Sequence, residues 1–181
     1  MYLKRSDAHR QPTRAYFGQK DIQQALLLRR MCGDLLLAYP FPNNLHIVPT
    51  YRSSTDGLAY SSRNAYLMPA EREVASVLYQ SLRVGEQAWK EGGGRDGAVA
   101  AAVAHIAKVK REIEANKKDG EELSMVLDYI EMNDPENFEV VNWDTKEGDG
   151  RPVVLSGGLW LNRTRLIDNI ILGDVHGKVL S

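Results

Sequence analysis

The run Asp56-Gly57-Leu58-Ala59-Tyr60-Ser61-Ser62-Arg63-Asn64 concentrates groups that bind oxyanions. The Ser61 and Ser62 hydroxyls can each donate a hydrogen bond. The Arg63 guanidinium offers a rigid fork of donors that matches phosphate oxygens two at a time. Gly57 supplies a point where the backbone can bend as other residues cannot. Taken alone, the run is either a loop that grips phosphate or a solvated serine-rich turn leading into a helix. A second group lies upstream, in Gly18-Gln19-Lys20-Asp21-Ile22-Gln23-Gln24, where a β-prone run, Arg14-Ala15-Tyr16-Phe17, gives way to an apolar helical pattern. A helix N-terminus carries unpaired N–H groups and partial positive charge, so Lys20 and Asp21 there suit a bound phosphate. Asp21 has an alternative as a plain N-cap. Gln24, one turn further on the same face, has one as a solvated surface residue.

The chain around these groups has 181 residues and a formal net charge of −1, so no overall field favours nucleic acid or an acidic membrane. Its length suits one domain or two small ones. No apolar run approaches the length of a membrane span, and nothing resembles a signal peptide. The single cysteine, Cys32, excludes an internal disulfide and fits a reducing compartment, hence a cytoplasmic expectation. Its apolar helical setting suits a buried thiol better than a nucleophile.

The elements that must position the two groups follow from periodicity. Met1–Gln11 is polar and unpatterned, and disorder is expected there. Ile22, Ala25, Leu26, Leu28, Met31, Cys32, Leu35 and Leu36 form a wide stripe at helical spacing, which predicts a helix to about Leu37. Leu45-His46-Ile47-Val48 reads as the next strand, closed by Pro49. Strand, helix and strand make a βαβ unit with a parallel pair. Ligands in such sheets bind beyond the carboxyl ends of the strands. Here those ends are Gly18–Asp21 and Pro49–Arg52, and the Ser61–Arg63 run follows the second directly. Both groups should therefore reach one crevice.

Downstream, Pro69 suits the first turn of a helix to about Lys90, with Val74, Val77, Leu78, Leu82, Gly85 and Trp89 inward. Gly92-Gly93-Gly94 should end it. Asp96 reads as the cap of another helix to about Asn116, with Val99, Val103, Ile106 and Ile113 inward. Trp89 and His105 read as packing residues. Met125–Met132, Val153–Leu161 and Thr164–Leu172 read as strands, the last two joined by a tight turn at Asn162 and Arg163. The fold class is α/β: a Rossmann-like βαβ remnant of a nucleotide-binding domain, then an α+β carboxyl-terminal domain with two long helices and a small antiparallel sheet. The expected division is 1–50 and 51–181, from a change in composition near Pro49–Thr55.

Several ordered motifs at compatible spacing resemble the pantoate–β-alanine ligase (pantothenate synthetase) family: Tyr16 to Gln24, Pro49-Thr50-Tyr51-Arg52, Asp56 to Leu67 (DGLAYSSRNAYL), Leu127 to Glu131 and Thr164 to Asn169. The resemblance runs from about Gln11 to Gly173. It implies an ATP-dependent ligase that adenylates the pantoate carboxylate, releases pyrophosphate, and lets the β-alanine amine attack the adenylate. It implies that Gly18, Gln19, Lys20 and Asp21 hold the ATP ribose and phosphates, that Gln24 binds pantoate, and that the Tyr51 main chain meets the adenine. Tyr60, Ser61, Ser62 and Arg63 match the phosphate loop, with Lys20, Ser61, Ser62 and Arg63 as the catalytic set. The family further implies ATP with Mg²⁺ as substrate, pantoate and β-alanine as partners, and a common homodimer. No residue of this sequence is assigned to the metal.

Two departures are mild: Gln19 stands where many members have glutamate, and one extra residue lies between Arg52 and Asp56. A third is larger. Members are typically much longer and carry upstream a His-x-Gly-His motif for the triphosphate, a second pantoate glutamine and the usual magnesium contacts. His9, His46, His105 and His176 are isolated and form no such motif. The expectation is a carboxyl portion of the ligase that does not turn over pantoate alone. The alternative is a non-catalytic fragment that binds nucleotide or a partner.

Overall fold

The computed structural model describes residues 14–116, 123–174 and 179; the disorder expected for Met1–Gln11 lies outside them. β1 (Ala15–Gly18) leads through a 3₁₀ turn (Gln19–Asp21) into α1 (Ile22–Asp34). After a second short 3₁₀ turn comes β2 (Leu45–Val48), which pairs parallel to β1 with Ala15 opposite Leu45 and Gly18 opposite Val48. The expected βαβ unit is present.

The first helix stops earlier than its apolar pattern. Leu35 leaves helical geometry, and Leu36 takes a left-handed conformation at φ +49°. Its N–H donates to Gly33 O and the Leu37 N–H donates to Cys32 O, both at 3.0 Å. That pair of bonds is the Schellman stop, in which glycine usually occupies the left-handed position. A helix running to Leu37 is thus too long: Leu35 and Leu36 are 62% and 89% exposed, and Met31 is exposed too. The stripe that does bury is Ile22, Ala25, Leu26 and Cys32, which packs with Leu45 and Ile47.

A 3₁₀ turn (Ser62–Tyr66) precedes α2 (Pro69–Val74), and α3 (Val77–Ala88) follows α2. The sequence predicts one helix here. The chain breaks at Ala75 and Ser76, where the Ala75 N–H bonds back only three residues, to Arg72 O, and Ser76 sits at ψ −9°. The Glu71 carboxylate fixes this start. Although 4% exposed, it accepts from the Met68 N–H at 2.9 Å and from Asn162 Nδ2 at 2.6 Å. α3 ends in a π-helical turn over Trp89–Gly93, and Gly92 (φ +87°) permits the reversal into α4 (Gly94–Ala115). α4 therefore begins before Asp96, which lies in its first turn and pairs with Arg95 instead of capping.

β3 (Met125–Asn133), β4 (Val153–Leu161) and β5 (Thr164–Leu172) form an antiparallel sheet in sequence order. The turn at Asn162 and Arg163 is as expected, with Asn162 at φ +47°. α3 and α4 cover one face of this sheet. The main core joins Leu78, Leu82, Trp89, Ile106, Leu155 and Leu159. The inward residues expected on α3 are buried there, and Ile106 alone of the four expected on α4 is fully so, with Val99, Val103 and Ile113 packed at its margin. His105 packs as expected, its Nδ1 3.0 Å from Ser81 Oγ. Among the described residues, no helix is long and apolar enough to cross a membrane.

Leu36→Gly should stabilise the chain by about 1 kcal/mol, because a bulky left-handed residue costs about that much and glycine suits the position. Leu82→Ala, at a wholly buried site, should instead cost about 2–5 kcal/mol. Urea midpoints of the two variants check both signs.

Candidate active site

β5 brings the two predicted groups together. Its residues Asp168 and Asn169 are 6% and 2% exposed. A buried carboxylate needs a partner, and Asp168 has Arg52: both terminal guanidinium nitrogens donate to it, at 2.6 and 2.8 Å. The Arg52 guanidinium also lies 3.5 Å above the Tyr79 ring, a cation–π contact. Asn169 holds the other segment. Its Nδ2 donates to Gln19 O at 2.9 Å and Lys20 O at 3.1 Å, and its Oδ1 accepts from Gln19 Nε2 at 3.2 Å.

Arg52 opens a small hairpin whose tip is built from its own turn chemistry. Tyr60 N–H donates to Tyr51 O, Ser53 N–H to Leu58 O, and Gly57 N–H to Ser53 O. The Asp56 carboxylate accepts from the Leu58 N–H at 3.1 Å and from Arg72 at 3.1 Å. Gly57 adopts φ +71°, the bend for which the sequence nominated it. Tyr51 and Tyr60 stack across the hairpin with centroids 5.2 Å apart, though both remain mostly exposed. The Ser-Ser-Arg run follows. Ser61 Oγ accepts from the Arg63 N–H at 3.2 Å and so caps the 3₁₀ turn, while the Ser62 and Arg63 side chains face solvent.

Lys20 stands between the two halves. One cleft, of about 160 Å³, is lined by Lys20, Asp21, Gln24, Tyr129, Asp168 and Asn169 among others. A second, smaller cleft is lined by Lys20, Ala59, Asn64, Tyr79 and Asp168 among others. Burial lowers the pKa of the Lys20 ammonium, with Asp21 opposing, Arg63 reinforcing and Asp168 opposing. A partly desolvated ammonium gains from an anionic neighbour, which favours its charged form. The wider cleft is small beside the roughly 300–1,000 Å³ of a ligand pocket. It can seat a carboxylate or a few hydroxyls, whereas a nucleotide would have to lie along the surface past Lys20.

Of the residues nominated from sequence, Lys20, Asp21 and Gln24 share the wider cleft, and Gln19 backs it through Asn169. Gly18 ends β1 in an extended conformation, with open space where a Cβ would lie. Asp21 occupies the N-cap position of α1, yet its side chain makes no capping bond. Tyr51, Tyr60, Ser61, Ser62 and Arg63 sit on or beside the hairpin and line neither cleft. No group of three or more His, Cys, Asp or Glu among the described residues could hold a metal ion. Sequence reasoning assigned no role to Arg52, Tyr79, Tyr129, Asp168 or Asn169. One signal was available: Asp168-Asn169 interrupts an apolar strand, and adjacent strand residues face opposite sides, so at least one had to be buried.

Residues 8–171 match the family model described as pantoate-beta-alanine ligase. The chain is 39% identical to a pantothenate synthetase of Moorella thermoacetica and 40% identical to one of Thermotoga petrophila, in each case over 90% of this chain and 50% of the relative. It therefore spans about half the length of these two relatives. The crystal structure of a pantothenate synthetase from Thermus thermophilus superposes with a TM-score of 0.67 at 34% identity, covering 88% of this chain and 49% of that one.

Arg52→Ala should leave the Asp168 carboxylate buried without its cation and destabilise the chain by about 3–5 kcal/mol. Urea denaturation gives the value, and a loss below about 1 kcal/mol would mean that water replaces Arg52 freely.

Proposed function

The chain belongs to the pantoate–β-alanine ligase family, and on that premise we propose that it grips the phosphates of ATP and the pantoate in the ligation of pantoate to β-alanine. ATP adenylates the pantoate carboxylate with loss of pyrophosphate, and the β-alanine amine then displaces AMP. The observation that carries this reading is the cleft that a partly desolvated Lys20 lines together with Asp21 and Gln24, on a turn that Asn169 holds from β5. Positive charge held in a low-dielectric setting stabilises phosphate charge as it grows during displacement.

In this reading Lys20 and Arg63 bear on the phosphates, and Ser61 and Ser62 add hydroxyl donors. Gly18, Gln19 and Asp21 hold the ribose and phosphates together with Lys20, the Tyr51 main chain meets the base, and Tyr60 belongs to the phosphate loop with Ser61–Arg63. Gln24 holds pantoate in the small cleft beside Lys20, which has the size for its carboxylate and hydroxyls. Mg²⁺ arrives with the phosphates, since Mg²⁺ is usually held through one or two carboxylates plus substrate oxygens. Asp168 is committed to Arg52 and is not a ligand. We further place the division between a nucleotide-binding segment and a lid near residue 50, and take the protein to be cytoplasmic and dimeric.

A second reading, a non-catalytic piece that binds a partner polypeptide, is favoured by the exposed Tyr16, Leu27 and Leu35 around the two-stranded parallel sheet. Parallel sheets are ordinarily covered on both faces.

ATP with magnesium should slow amide exchange over Asp56–Asn64 in the purified chain. Lys20→Ala should weaken ATP binding by about ten- to a hundredfold, the loss of one charge-assisted hydrogen bond. Gln24→Ala should leave ATP affinity unchanged and weaken pantoate. Calorimetric titration with each ligand decides, and wild-type ATP affinity in Lys20→Ala would refute the phosphate role.

A further inference from the structure

Resting on the reading that Lys20 grips ATP phosphate, we propose that Asn169 is a positioning residue for that grip, fixing from β5 the turn that carries Lys20. The turn Gln19–Asp21 has no capping side chain of its own. Gly18 precedes it without a side chain to offer, and Asp21 makes no capping bond at the start of α1. Its restraint comes instead from a residue 149 positions away from Lys20 in sequence. Both hydrogens of the Asn169 amide are committed to the main chain of that turn, at Gln19 O and Lys20 O, and its oxygen holds the Gln19 side chain. With both donors occupied and 2% of its surface exposed, Asn169 acts on a ligand through Lys20.

The chemistry singles out a carboxamide. Two parallel donors and one acceptor match two carbonyls and one amide N–H₂. Aspartate of the same size would present only acceptors to the two carbonyls. The clamp is itself stiff, because the Asn169 N–H donates to the Asp168 carboxylate at 2.8 Å, and that carboxylate is held by Arg52. A lysine side chain loses rotamer freedom when it grips a ligand. A turn whose carbonyls are already fixed leaves only the side chain to be ordered.

The test is a double-mutant cycle on ATP affinity, with magnesium present, in the purified chain. Asn169→Ala and Asn169→Asp should each weaken ATP about tenfold, the net effect of one to two hydrogen bonds. In the Lys20→Ala background the same changes should cost less than about twofold, because the group being positioned is gone. Equal losses with and without Lys20 would mark a merely structural role and overturn the inference, as would unchanged affinity in the single variants. Should Lys20→Ala alone leave ATP affinity unaltered, the phosphate reading itself fails, and the inference with it. Should neither Asn169 variant fold, the wild-type chain supplies the decision. Hydrogen exchange of the Asn169 side-chain amide, followed by nitrogen-edited NMR, should slow on ATP addition together with the backbone of Lys20–Gln24. An Asn169 amide indifferent to ATP while that backbone is protected would overturn the proposal.

Discussion

Burial of the Asp168 carboxylate is the constraint on which the arrangement of this protein depends. A carboxylate removed from water must be paired, and its partner, Arg52, sits just past the end of β2. Satisfying Asp168 therefore pulls the exit of the βαβ unit onto β5. The adjacent Asn169 faces the other way and collects the exit of β1. Two consecutive residues of one strand thus take hold of the carboxyl ends of both parallel strands, where α/β sheets present their ligands. The two hydrophobic clusters are stitched at the same strands: Val154 of β4 and Ile171 of β5 belong with α1 rather than with α3 and α4.

Electrostatics at the crevice oppose stability of the empty protein. Lys20 loses hydration, which disfavours its charged form, while Asp21 and Asp168 offset part of the cost. An anion placed beside a partly desolvated ammonium relieves the remainder. Arg52 shows the contrasting case, a guanidinium neutralised by Asp168 and covered by Tyr79, with no charge left to offer a ligand. Two arginines within the same short stretch therefore differ completely in what they can do.

Much of the fold was legible because its signals were local. The bounds of β2, β4 and β5 follow from short apolar runs closed by turn residues such as Pro49 and Asn162. Gly57 and Asn162 announced their left-handed conformations. Errors arose where a tertiary or backbone effect overrode periodicity. The stripe through Leu35 and Leu36 continued past a helix that had already turned left-handed, leaving those leucines in solvent. The run from Pro69 to Lys90 looked continuous, whereas Glu71 is anchored to Asn162 in the β4–β5 turn and the helix breaks at Ala75 and Ser76. At the candidate site, the residue types that bind phosphate were recognisable from chemistry alone. The residues that hold them in place were not, because Asp168 and Asn169 act through partners more than a hundred positions away, and no sequence period encodes such pairings.

The stacked tyrosines and cross-strand bonds of the hairpin from Tyr51 to Tyr60 bear on how Ser61–Arg63 can behave. With its base held by Arg52 and its tip braced by Asp56 against Arg72, the hairpin delivers Ser61–Arg63 on a backbone whose own hydrogen bonds are already made. A ligand gripped there orders side-chain rotamers rather than a length of loose chain, so capture need not be offset by a large loss of backbone entropy.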